Sequence, residues 1–227
     1  DLEMRRDPTV ILMGEDIVGG TGAHGEDDAW GGVLQAHRRR GVASTLLQGL
    51  LALRLPSEDD MAATLFSAGH VPDPAAIHHA RDALHLAMAQ QMRPRLAALE
   101  SAMHVPGAYS PDAASAGKRA LRLGVLGLLA RLDGGSAARE AYYDASNMTE
   151  SFGALAILLE NGQGEQELAA FGSRWTHDRL VMDKWFAVQV AMAAPDQAAA
   201  TVARLTEHPA FDMKNPNRFR AVLGALT

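Results

Sequence analysis

Residues 147–189 read NMTESFGALAILLENGQGEQELAAFGSRWTHDRLVMDKWFAVQ and divide into three amphipathic helices. Asn147 followed by Glu150 has the form of a capping box: the amide oxygen can accept an orphan backbone N–H while the carboxylate reaches back. The apolar run Phe152, Leu155, Ile157, Leu158 and Leu159 follows, and Asn161-Gly162 supplies a left-handed stop. Glu165 to Trp175 makes a second helix, with Leu168, Phe171 and Trp175 at spacings of three and four. Leu180 to Met192 makes a third, with Val181, Trp185, Val188 and Met192 on one face. The short turns between them imply antiparallel neighbours stacked in sequence.

Working outward, the same grammar continues. Leu46 to Leu55 is a short Leu-rich helix ended by Pro56, and Glu58 to Ser67 is a second. Asp73-Pro74 places an N-cap and a first-turn proline at the head of a long helix carrying Ile77, Leu84, Met88, Met92, Leu96, Leu99 and Met103. Pro94 lies inside it, and its ring is expected to bend or break the helix near Gln90 to Met92. Ser110-Pro111 opens another helix, running to Leu132 and stopped by Gly134-Gly135. Gly124 and Gly127 sit within it. Each costs about 1 kcal/mol against alanine, so close approach of a neighbour is the expected compensation. Ser136–Ala145, Pro195–Glu207 and Pro216–Leu226 complete the set, with Asn215 as the last N-cap. The reading is all-α: roughly ten helices in an irregular HEAT- or armadillo-like superhelix, over residues 45–227.

Residues 1–34 differ. Thr9-Val10-Ile11-Leu12-Met13 is a short, partly β-branched run between Asp7-Pro8 and Gly14, the signature of a buried strand. Gly19, Gly20, Gly22, Gly25, Gly31 and Gly32 then make a loop without the Gly-Lys-Ser/Thr ending of a phosphate cradle. A parallel-sheet strand without neighbours has unpaired backbone, so this appendage is expected to be poorly ordered. Residues 35–44 read as a junction, a fusion scar or rearranged gene boundary.

The bulk numbers exclude several classes. A formal charge of -6 argues against a general nucleic-acid binder. With no cysteine there is no disulfide framework and no thiolate chemistry. No apolar run reaches the roughly 18 residues of a membrane span. No signal-peptide pattern opens the sequence, and a cytoplasmic location is the expectation.

Four motifs carry a likeness: Asn147-Met148-Thr149, Val181-Met182-Asp183-Lys184-Trp185-Phe186, His208-Pro209-Ala210-Phe211 and Asn215-Pro216-Asn217-Arg218-Phe219-Arg220. In this order and spacing the sequence from about Leu50 onward resembles the C-terminal helical domain of the bacterial aminopeptidase N family, which are zinc metallo-aminopeptidases. The resemblance implies a non-catalytic portion that caps the active-site chamber of a whole enzyme removing N-terminal residues from peptides. It also implies that further helices follow in the family. An array cut open there exposes apolar faces, so self-association is expected. Separately, Arg6-Asp7-Pro8, Val10 to Asp16 and Asp28 to Leu34 resemble the start of the beta subunit of thiamine-diphosphate-dependent 2-oxo acid dehydrogenases. That family's cofactor-activating Ile-Ser-Glu motif is absent, and Glu15 is not its equivalent.

The sequence holds none of the family's catalytic parts. Zinc binding and general-base chemistry need His-Glu-x-x-His on a helix, and amine recognition needs Gly-x-Met-Glu-Asn. Neither occurs, so no catalytic residue and no metal ligand is assigned; zinc belongs to the full-length family. His78, Asp82 and His85 fall on one helical face, but a polar face of an amphipathic helix explains them better than a metal site. The substrate-facing candidates are Arg220 and Arg218. The resemblance puts the arginine matching Arg220 at the internal chamber, near the C-terminal side of a peptide, where a guanidinium fork suits a carboxylate. Asp183, Lys184 and Trp185 read as packing and ion-pair residues. A stand-alone α-solenoid that binds peptides or proteins without catalysis is the alternative.

Overall fold

The computed structural model describes residues 49–224. The strand and glycine loop read in residues 1–34, the junction at 35–44 and the start of the first Leu-rich helix lie outside them. Within the described residues every extended element is a helix, and there is no strand. In chain order they are α1 (Glu58–Ser67), α2 (Pro74–Ala102), α3 (Ala113–Asp133), α4 (Ser136–Asp144), α5 (Met148–Glu160), α6 (Glu165–Trp175), α7 (Arg179–Ala191), α8 (Ala198–Thr206) and α9 (Pro216–Leu223). Two compact units meet within α3, between Leu128 and Leu129.

Helix starts follow local chemistry. Asp73 accepts from Ala75 and Ala76, Asn147 from Glu150, and Asn215 from Asn217 and Arg218. Ser57 and Asp60 form a full capping box at α1 that the sequence reading did not single out. At α5 the carboxylate of Glu150 accepts from the Asn147 side-chain amide. Asp178 caps α7 through Leu180 and Val181, so that helix starts earlier than expected. At α3 the cap is Asp112, not Ser110: Asp112 Oδ1 accepts from Ala114 and Ser115, and the Ser110 hydroxyl donates to its other oxygen. The Ser110 hydroxyl first, then the contacts from Ser115 and Ala114, push the Asp112 carboxyl far below the usual carboxylate range. Gly162 closes α5 with φ 68°, and Gln163 N–H bonds the Leu158 carbonyl, a Schellman stop.

In the first unit, α2 was expected to bend or break near Pro94 and to bury Leu84. Pro94 does not break it; the helix runs unbroken from Pro74 to Ala102. Its inward stripe is Ile77, His85, Ala89, Met92 and Leu96, while Leu84 is 49% exposed. Leu84 stands one position, about 100°, before His85, so it turns away from the face that Ala89 and Leu96 share. On α3, Leu121, Val125, Leu126 and Leu128 are buried. A Cβ at Gly124 would stand 3.1 Å from Leu50, the close approach expected of that glycine.

The second unit holds the main core. Leu155, Phe171, Val181, Met182, Trp185, Phe186, Val190, Leu205 and Val222 form one cluster, drawn from α5 through α9. Val181, Trp185 and Val188 are buried as the α7 periodicity requires, whereas Met192 follows the helix end and is exposed. The Trp185 indole N–H donates to the Leu168 carbonyl at 2.9 Å. A Cβ at Gly172 would stand 2.8 Å from Trp185 Nε1 and 2.9 Å from Cε2. The indole therefore lies on the bare backbone of α6.

Gly172→Ala tests this seat. Alanine would stabilise an ordinary helix interior by about 1 kcal/mol, but here it overpacks the core. Net destabilisation of about 1–3 kcal/mol is expected, read as a fall in urea midpoint at constant slope.

Candidate functional site

The sequence candidates sit at the start of α9. Asn215 caps it and Pro216 occupies its first turn, which fixes the rotational phase of Arg218 and Arg220. Arg218 is 5% exposed and turned inward. Its Nε donates to Asp183 Oδ1 on α7, its Nη1 to the Ala210 carbonyl and its Nη2 to the Arg179 carbonyl at 3.5 Å. Its guanidinium lies 4.5 Å from the centre of the Phe186 ring. Arg220 follows two residues later, roughly 200° around the helix, and is exposed. Asp183 and Trp185 are an ion-pair and a packing residue respectively; Lys184 is exposed.

Sequence reasoning missed the part His208 plays in this corner. Its ring sits 5.3 Å from those of both Trp185 and Phe186. Its Nδ1 accepts the Ala210 N–H at 3.1 Å. Burial first, then the charges of Arg218 and Arg204, hold its pKa below the ordinary histidine value. The His208-Pro209-Ala210-Phe211 motif drew attention to the position but not to its contacts.

A second polar feature lies at the start of α6. An open cleft of about 650 Å³ is lined by residues including Arg139, Gly164, Glu165 and Glu167. Glu167, 3% exposed, accepts from Arg139 Nε at 3.0 Å and from the Tyr143 hydroxyl at 3.2 Å. That hydrogen bond is the main cause raising the Tyr143 pKa. A glutamate in an amphipathic repeat gives no signal of burial, so this pairing was not legible in the sequence.

The His78 group does not converge on a metal. His78 Nδ1 meets Glu58 at 2.8 Å and Nε2 meets Asp82 at 3.4 Å, joining α1 to α2. The Glu58 hydrogen bond is the main cause raising its pKa. Among the described residues no three His, Cys, Asp or Glu side chains are grouped to hold an ion. Also among them, no helix is long and apolar enough to cross a membrane.

Comparison with known proteins gives this helical array its family. Residues 28–227 match the model of a family described as a domain of unknown function (DUF3458_C) with ARM repeats. The chain is 40% identical over 184 residues to aminopeptidase N of Caulobacter vibrioides and 33% identical over 178 residues to aminopeptidase N of Escherichia coli. Each alignment covers 76% of this chain and 20% of the relative. A crystal structure of Legionella pneumophila aminopeptidase A in complex with aspartic acid superposes with a TM-score of 0.62 at 25% identity, over 68% of this chain and 20% of that one. The chain thus belongs to this ARM-repeat family and is similar to part of aminopeptidase N. It spans about one fifth of the length of the curated relatives it matches. A separate likeness, 76% identity over 34 residues, is to the beta subunit of an acetoin:2,6-dichlorophenolindophenol oxidoreductase from Cupriavidus necator; it covers 15% of this chain and 10% of that protein.

The Arg218–Asp183 pair is a stability element with a clear signature. Asp183→Ala leaves a buried guanidinium without its carboxylate and is expected to cost about 3–5 kcal/mol in denaturant unfolding. Adding Arg218→Met to it should recover part of that loss, because the stranded charge is removed. Simple additivity of the two losses would show that the pair is not coupled.

Proposed function

We propose that this chain is a non-catalytic helical portion of a zinc-dependent aminopeptidase, capping the active-site chamber in the whole enzyme. Arg220 is the residue assigned to the substrate, as a partner for the C-terminal carboxylate of a bound peptide. The observation that carries the assignment is the division of labour on α9. Arg218 is consumed by Asp183, Ala210 and Arg179. Arg220 is exposed, and none of the described side chains forms a salt bridge with it. An unspent guanidinium beside a fully spent one is the group able to receive a carboxylate bidentately. The sequence has neither His-Glu-x-x-His nor Gly-x-Met-Glu-Asn, so hydrolysis in this reading is supplied by other domains.

The alternative, a stand-alone peptide-binding module, is favoured by the open cleft at the start of α6. The two readings separate by where a peptide binds. On α9, recognition depends on a free carboxylate; at the cleft it does not.

The test uses a short peptide with a free C-terminus and its C-terminal amide, titrated into the full chain by NMR. The free acid should bind more tightly, and Arg220→Ala should remove about tenfold of its affinity while leaving the amide unchanged. Equal binding of acid and amide, or shifts confined to the cleft, would reject Arg220. Turnover of an aminoacyl nitroanilide by the zinc-loaded chain would reject the non-catalytic assignment.

A further inference from the structure

The turn between α8 and α9, residues 207–215, is held at one residue, Ala210, through both its carbonyl and its N–H. The Ala210 carbonyl accepts from Arg218, and the Ala210 N–H donates to His208 Nδ1. Phe211 N–H closes the turn on the His208 carbonyl at 2.8 Å. Through Arg218 this turn is tied to Asp183, and so to α7. We propose that His208 is a pH-operated clasp, whose protonation at mildly acidic pH opens this turn and loosens the seat of α9 on α7.

A backbone N–H can only donate, so Nδ1 must present its lone pair, and the bound ring is the neutral tautomer protonated at Nε2. A proton on Nδ1 converts the hydrogen bond into two opposed N–H groups. The new charge also arrives in a cationic corner. Arg204 from α8 and Arg218 from α9 face the ring electrostatically. Asp183, the acid that α7 brings to this corner, already bonds Arg218.

The sign follows from which form the fold binds. The folded turn prefers the neutral ring, and burial and the two arginines lower its pKa. Its contribution is complete above the ordinary histidine value and is lost as pH falls through the lowered one. Opening should therefore take up one proton. Between the two pKa values the protection of the turn falls with acid, by at most about tenfold per pH unit.

The experiment is amide hydrogen exchange on the full chain between about pH 7.5 and about pH 5, corrected for intrinsic rates, with the His208 ring followed by NMR. The Ala210 and Phe211 amides should lose protection with acid while core amides of α7 such as Phe186 keep theirs. In His208→Asn, whose side-chain oxygen can still accept but takes up no proton, the turn should become insensitive to pH. Flat protection in the wild type, equal loss throughout α7, or a ring titrating at or above the ordinary value would each overturn the clasp. So would the same acid sensitivity in both His208→Asn and His208→Gln. If both variants melt, the wild-type profile and ring titration decide alone.

Discussion

Trp185 reaches the backbone of α6 because position 172 has no side chain. The indole then makes the Leu168 hydrogen bond that a buried N–H needs, and its body fills the space between α6 and α7. Most of the second unit follows from this seat. Phe171 on α6 and Phe186 on α7 are both at most 1% exposed and sit in the same cluster. Aromatic residues carry this core: each buries a large area, and the pairs here adopt tilted or edge-on geometries.

The polar corner above this core obeys a different economy. A buried guanidinium is tolerable only when its donors are met, and Arg218 meets carboxylate, two carbonyls and an aromatic face. Ala210, whose carbonyl receives Arg218, also gives its N–H to His208. Three motifs, around Asp183, His208 and Arg218, therefore form one physical unit. That gives a structural reason for those residue types. Arg220, roughly 200° further round α9, is exposed instead.

Much of this architecture was legible before folding. Capping residues at Asp73, Asn147 and Asn215, the Gly162 stop and the periodicity around Trp185 all act within a few residues of themselves. The misreadings were equally local in cause. Ser110 competed with Asp112 for the same cap, and the nearer carboxylate took it. Leu84 looked like a core residue by type, but its phase on α2 pointed it outward.

The chemistry was less legible. Arg218 and Arg220 are the same residue type two positions apart, and nothing in their spacing says which is buried. Glu167 and His85 read as polar positions, yet one is paired beneath Arg139 and Tyr143 and the other lies in the inward stripe of α2. By itself, then, the sequence determined where helices begin, end and turn their apolar faces, because caps and a 3.6-residue period are short-range forces. Only the tertiary structure decided which polar side chains lose their water and find partners. That depends on which distant elements meet, as Asp183 and Arg218 do across 35 positions of sequence.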